Sequence, residues 1–254
     1  MSKGIQIIGL EKLPEFRPGD DITNSLEGSA KDTCGGFLEN DILVVTQKII
    51  SKVENCVVDL SKVFPGPAAV ELAQRTKKDP RLTELILRES KRIVRVEEER
   101  GVIITETKHG FICANAGIDS SNIPGKDLVA TLPLDSNRSA SLIKTRIVER
   151  HKFRKFGVII SDTFGRPWRE GHLNFAIGSA GIQVTNDYTN GVDRVGKPLR
   201  VTKIAIVDVL AAASELVCRK TNGVPAAIFR NFPFQDSTEN VSSLLRPIEK
   251  DLFR

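Results

Sequence analysis

Two residues, Lys108 and His109, separate the strand-like runs GVIITET (101–107) and GFICANA (110–116). A gap that short cannot hold the crossover of a dozen or more residues that parallel strands need, so these runs must pair antiparallel as a hairpin. The chain is therefore not built only of strand–helix–strand units. Further short runs rich in Val, Ile or Phe occur at 4–10, 41–50, 56–60, 156–161, 173–182, 198–205 and 225–230, most of them bounded by Gly, Pro, Asn or Asp. Helical spacing predicts helices over 67–78, 79–95, 139–151 and 205–220. Pro67 and the pair Asp79–Pro80 supply start signals, and Ile206, Leu210, Ala213 and Val217 form one stripe. The expected fold class is α+β: mixed sheets with flanking helices, one unit over 1–254, built as two intertwined subdomains.

The 254 residues, 40% apolar and 27% charged, are enough for an ample core. No stretch approaches the roughly 18 apolar residues of a membrane helix. The first apolar segment is soon interrupted by Glu11 and Lys12, and it does not read as a signal peptide. Four cysteines, Cys34, Cys56, Cys113 and Cys218, are scattered without a CxxC pair. That pattern fits a reducing cytoplasm better than a disulfide framework or a zinc site. A net charge of +5 is spread along the chain, with one Tyr and one Trp. Such a chain is poorly equipped to stack bases, so small anionic ligands are expected in preference to nucleic acid or a membrane.

Three loops that follow apolar strands carry dense polar groups. They are VTQKIISK with Gln47, Lys48 and Lys52; NAGIDSSN with Asp119 and Asn122; and SDTFGRPWREG with Asp162, Thr163, Arg166 and Arg169. Asp119 and Asp162 suit a hard cation such as Mg²⁺, which takes one or two carboxylates plus phosphate and water oxygens. The Thr163 hydroxyl could complete that shell, and arginine forks match phosphate or carboxylate oxygens. Taken singly, Asp162–Thr163 and Asp119–Ser120 also read as helix N-caps or Asx-turns. Lys48 and Lys52 alone read as surface residues. Neither GxxxxGK[ST] nor GxGxxG occurs, so ordinary nucleotide-binding folds are not indicated.

In combination the motifs go further. PGDD (18–21), DILVVTQKIISK (41–52), DPRLTELILRES (79–90), HGFICANAGIDSSN (109–122), SDTFGRPWREG (161–171), AIGSAG (176–181) and RPIEKDLFR (246–254) occur in this order. From about Ile5 to Arg254 the chain resembles the coenzyme F420-0:L-glutamate ligases, the γ-glutamyl ligases of F420 biosynthesis. The resemblance implies a GTP-dependent enzyme that joins L-glutamate to the lactyl carboxylate of F420-0 and can add further γ-linked glutamates. It also implies Mg²⁺ or Mn²⁺, stimulation by K⁺, an acyl-phosphate intermediate and an intertwined homodimer.

On that resemblance Asp119, Asp162 and Arg166 are catalytic, and Asp119, Asp162 and Thr163 hold metal. Leu13, Pro14, Glu15, Phe16, Gln47, Lys48, Lys52, Asn122, Lys220, Asn222 and Gly223 match nucleotide contacts. The stretch VDVLAAASELVCRKTNGVP departs from the family pattern. Val209 stands for an acid, Cys218 and Arg219 for Met and Gly, and Lys220 stands where some members carry a metal-binding acid. A charged lysine cannot ligate metal, so a second cation would lose a ligand or be held by substrate oxygens. Two alternatives stay open: a related acid–amine ligase with another acceptor, and a nucleotide-binding paralogue without turnover.

Overall fold

The computed structural model describes residues 4–189 and 191–252. Its centre is a five-stranded sheet built from β1 (Gln6–Gly9), β2 (Ile42–Thr46), β8 (Gly157–Arg166), β9 (Arg169–Ala180) and β12 (Ala226–Arg230), in the order β1-β12-β2-β8-β9. All neighbours are antiparallel except β2 and β8, which run parallel with Thr46 opposite Ser161. In β2, Ile42 to Val45 are buried on both faces, as a central strand requires.

One face of the sheet presents Leu43, Val45, Val158, Ile160 and Ile228 to helices α1 (Ile22–Cys34), α2 (Gln47–Val53) and α5 (Ser136–His151). The other face presents Ile42, Val44, Ile159 and Phe229 to α6 (Ile206–Cys218). Alternation along the strands thus makes two cores from one sheet. Helix α5 approaches β9 so closely that a Cβ at Gly178 would lie 2.3 Å from the Ser136 carbonyl oxygen. Gly178→Ala is expected to cost about 2 kcal/mol, because backbone must move to admit the methyl group. Urea unfolding of the variant measures it.

The β2–β8 crossover carries a second unit, consistent with the long connection a parallel pair needs. It contains the antiparallel pair β3 (Val57–Asp59) with β7 (Leu128–Ala130) and the three-stranded sheet β4 (Ser90–Glu97), β5 (Val102–Thr107), β6 (Ile112–Ala114). Helices α3 (Pro67–Thr76) and α4 (Pro80–Arg88) pack on these through small cores around Leu85 and Ile86. The hairpin required by Lys108 and His109 is the antiparallel pair β5–β6. The segments 185–189 and 191–205 hold the antiparallel pair β10 (Thr185–Asp187) and β11 (Lys203–Ala205).

Several elements differ from the pattern reading. The helix expected over 79–95 ends at Arg88, and Ser90–Glu97 is a strand whose Ile93 pairs with Thr105. The strand-like run 41–50 breaks at Thr46, where α2 begins. Of the run 198–205, only Lys203–Ala205 is strand. Helix α1 has no counterpart in that reading because its buried apolar stripe is only Ile22, Leu26 and Ala30. It is fixed by an Asp21 cap that accepts from Asn24 N and by the left-handed Gly35.

Candidate active site

Because β2 and β8 run parallel, their carboxyl ends emerge together. Strand β12 is antiparallel to β2, so its start lies at the same end, where Thr46 N donates to the Pro225 carbonyl oxygen at 2.9 Å. A cleft of about 580 Å³ opens there. Its walls come from Leu13 to Phe16, from Gln47, Lys48 and Lys52, from Ser161 to Thr163, and from the loop after α6 with Lys220 and Gly223. Crevices outside the carboxyl ends of parallel strands are common ligand sites, since the strand ends hold loop side chains rigidly.

Helix α2 turns its polar side chains inward. Ser51 Oγ donates to Gln47 Oε1 at 2.7 Å, and both residues are buried along with Lys52. Lys52 Nζ pairs with Glu15 in the N-terminal segment. Lys48 Nζ lies 2.7 Å from Asp119 Oδ2 and donates to Ser121 Oγ at 2.6 Å. The NAGIDSSN loop reaches this point through successive left-handed residues, Asn115, Ala116 and Gly117, at φ 52, 56 and 71. For Ala116 that conformation costs about 1 kcal/mol, and the surrounding fold holds it. On β8, Thr163 Oγ1 donates to Asn174 Oδ1 at 2.7 Å, and Asn174 Nδ2 donates to Glu215 Oε2 at 3.2 Å.

The two carboxylates behave oppositely. Burial pushes the Asp162 carboxyl up to about 7. Its nearness to Asp119 adds to that rise, while the Thr163 amide, Lys48 and Lys220 oppose it. Burial also pushes Asp119 upward, but hydrogen bonds from Lys48 and Ser121 outweigh it, and the net shift is below the ordinary value. Gln47 Nε2 and Ser161 Oγ, both of residues lining the cleft, are buried without a partner among the described residues. Orphaned polar atoms around a desolvated carboxylate mark a place arranged for something the protein itself does not supply.

A profile of the F420-0:Gamma-glutamyl ligase family matches residues 11–231. The chain belongs to this family. It is similar to the Coenzyme F420:L-glutamate ligase of Methanothermobacter thermautotrophicus, 42% identical over 254 residues, with 99% of each chain covered. The ligase of that name from Methanocaldococcus jannaschii is 41% identical over 253 residues, covering 98% of this chain and 97% of the relative. That from Methanopyrus kandleri is 39% identical over 259 residues, with 99% of each covered.

For a ligase of this family, the residues expected at the site fall into two groups. Leu13, Pro14, Glu15, Phe16, Gln47, Lys48, Lys52, Asn122, Asp162, Thr163, Lys220 and Gly223 all line the one cleft. Asp119 joins them through its contact with Lys48. Asn222 belongs to the same loop as Gly223 but does not line the cleft, and Arg166 lies in a second cleft beside Phe164. Lys48 and Lys52 are not free surface residues, because the run 41–50 turns into a helix at Gln47 and carries both inward. Asn174 and Glu215 also line the cleft without having stood out in the sequence. The pairing of Thr163 with Asn174 across the β8–β9 hairpin brings in Asn174, whose amide reaches Glu215 on α6. Among the described residues no helix is long and apolar enough to cross a membrane.

Proposed function

We propose that the chain is a GTP-dependent ligase that joins L-glutamate to the lactyl carboxylate of F420-0, and that it can extend the product through γ-linked glutamates. One observation carries the reading in a chain of this family: Asp162 and Lys48 line one cleft, and Lys48 is paired there with Asp119. In the reaction a carboxylate oxygen of F420-0 attacks the terminal phosphorus of GTP, releasing GDP and leaving an acyl phosphate. The glutamate nitrogen then attacks the carbonyl carbon, gives up its proton, and inorganic phosphate departs.

The oxygen donors fit a divalent cation. Among the described residues no group of three or more His, Cys, Asp or Glu side chains could hold a metal ion, so substrate and water oxygens would have to share its shell. Asp119, Asp162 and the Thr163 hydroxyl would supply hard oxygens to Mg²⁺ or Mn²⁺, the rest of the shell coming from substrate phosphates and water. Such an ion supplies charge neutralisation along the phosphate chain. The remaining work falls to this chain's own groups. Lys48 and Lys52 place ammonium charges at the phosphates, and the unmatched Gln47 amide offers them a donor. Leu13 to Phe16 form the wall expected to face the nucleoside. Stimulation by K⁺ belongs to the same reading.

The test is mass spectrometry of F420-0 incubated with the protein, GTP, Mn²⁺ and glutamate. Products one or more glutamyl residues heavier are expected, with GDP and phosphate released. Lys220, whose charge reaches Asp162, favours one alternative, a nucleotide-binding paralogue without turnover. Nucleotide binding without any product would select it. Phosphate release with only some other acceptor would select a different acid–amine ligase.

The same reading includes a homodimer. The segments 185–189 and 191–205 expose Tyr188, Val192, Val195 and Val201, an apolar set suited to a second copy. Replacing Val195 and Val201 by Asp is expected to halve the mass measured by light scattering. A wild-type mass equal to one chain would contradict it.

A further inference from the structure

The second cleft, of about 380 Å³, adjoins the first along the β8–β9 hairpin. Strand β8 gives Asp162 and Thr163 to one cleft and Phe164 and Arg166 to the other, while β9 gives Asn174 to one and Phe175 to the other. From Asp162 to Arg166 the strand covers roughly 13 Å. The two clefts differ in chemistry. The first carries Glu15, Lys48, Lys52, Asp162, Glu215 and Lys220 in its lining. The second has an aromatic side, with Phe111 and Phe164 ring centroids 6.2 Å apart and Phe164 stacked on Phe175 at 6.0 Å. Across from them a C-terminal wall carries Leu244 and Leu245. That wall sits so near the β5–β6 turn that a Cβ at Gly110, itself at φ +94, would lie 3.1 Å from Leu245 Cδ1.

Four charged side chains also line this slot, those of Arg166, Asp208, Arg246 and Asp251. Among the described residues Arg166 Nε is buried without a partner, and its Nη2 reaches the Glu170 carbonyl oxygen at 3.4 Å. The hydrogen bond to Asp208 is donated by Ala176 N, at 3.0 Å. An aromatic-lined slot with a spare guanidinium donor and a spare carboxylate acceptor matches a flat ring whose faces are apolar and whose edge alternates carbonyl and N–H.

We infer that this cleft binds the deazaflavin ring of the substrate, with Arg166 donating to its ring carbonyls and Asp208 accepting from its ring N–H. The inference rests on the F420-0 reading above and adds where the chromophore sits. The substrate's flexible tail then runs along β8 into the first cleft, where its carboxylate meets the nucleotide phosphates. Ring and reacting carboxylate are held by separate sets of residues.

The test is a fluorescence titration of the full chain with the ribityl deazaflavin that lacks the phospholactyl tail, beside a titration with GDP and Mn²⁺. Arg166→Gln and Asp208→Asn are each expected to weaken deazaflavin binding about tenfold, the worth of one hydrogen bond to a charged group. Phe111→Leu keeps the apolar packing and is expected to weaken it as well, while GDP affinity stays within twofold in all three. Unchanged deazaflavin affinity in variants with wild-type melting temperatures overturns the inference. So does loss of GDP affinity instead, which would make the slot a purine site. Failure of the wild type to bind the chromophore overturns it too, and glutamylated F420-0 from the same preparation would show that the ligase reading survives.

Discussion

Asp162→Asn is expected to lower the turnover of F420-0 glutamylation by at least about 100-fold while making the metal-free protein more resistant to urea at pH 8. The two signs come from one cause. Asn keeps the volume of Asp but removes the charge, so a cation at the phosphates loses a ligand worth several kcal/mol in the transition state. In the metal-free fold the same charge is unfavourable, because burial and Asp119 raise the carboxyl from its ordinary value of 3.8 to about 7. The unfolded chain ionises first as pH rises. The Asp162 contribution to stability is therefore complete below about pH 4 and is lost as pH climbs through about 7. The wild type minus variant difference in urea midpoint should follow that course, and added Mn²⁺ should reverse it at pH 8. A variant that still glutamylates at the wild-type rate would remove the metal role assigned to Asp162. A flat difference from pH 4 to 8 would deny its burial as an anion.

The largest stability effect is expected away from the cleft. Asp41, 1% exposed, opens β2 and accepts Leu38 N at 2.8 Å. Its two oxygens also take Arg230 Nε at 3.0 Å and Nη2 at 2.8 Å from the end of β12, and the same Nη2 donates to the Gly36 carbonyl oxygen at 2.8 Å. The pair thus ties α1's exit, β2 and β12 together at the end of the sheet opposite the active site. Arg230→Met would leave a buried carboxylate without its counter-charge, at a cost of about 3–5 kcal/mol. The double variant Asp41→Leu, Arg230→Met removes both charges and should recover much of that loss. Equilibrium urea unfolding measures both. Equal destabilisation by the single and double variants would mean that packing, not the unpaired charge, sets the cost.

What the sequence made legible follows from how local each signal is. The β5–β6 hairpin and helices α3, α5 and α6 rest on turn length, caps and periodicity within a dozen residues, so they can be read from the chain alone. The end of α4 cannot. Ile93 continues the helical spacing, and only pairing with β5 turns Ser90–Glu97 into a strand. Similarly, the inward turn of Lys52 depends on α2 packing under the sheet.

For the site, the ordered motifs delivered one cleft almost whole, since its loops follow strands whose ends the sheet gathers. Asp119 and Asp162 are 43 positions apart, and no spacing rule links them; the parallel β2–β8 pairing and the Lys48 bridge do. Arg166 shows the limit of reading by proximity. Four residues beyond Asp162, it looks like a partner in the same anion site. An extended strand instead carries it roughly 13 Å along, into an aromatic slot of its own.

Anomalous scattering from Mn²⁺ in crystals soaked with GDP examines the central claim most directly. The account predicts a manganese peak roughly 2.1 Å from carboxylate oxygens of both Asp119 and Asp162, with a nucleotide phosphate oxygen in the same shell and the Lys48 ammonium drawn off Asp119. A manganese bound elsewhere, with the Lys48–Asp119 ion pair intact and Asp162 touching no metal, would contradict it.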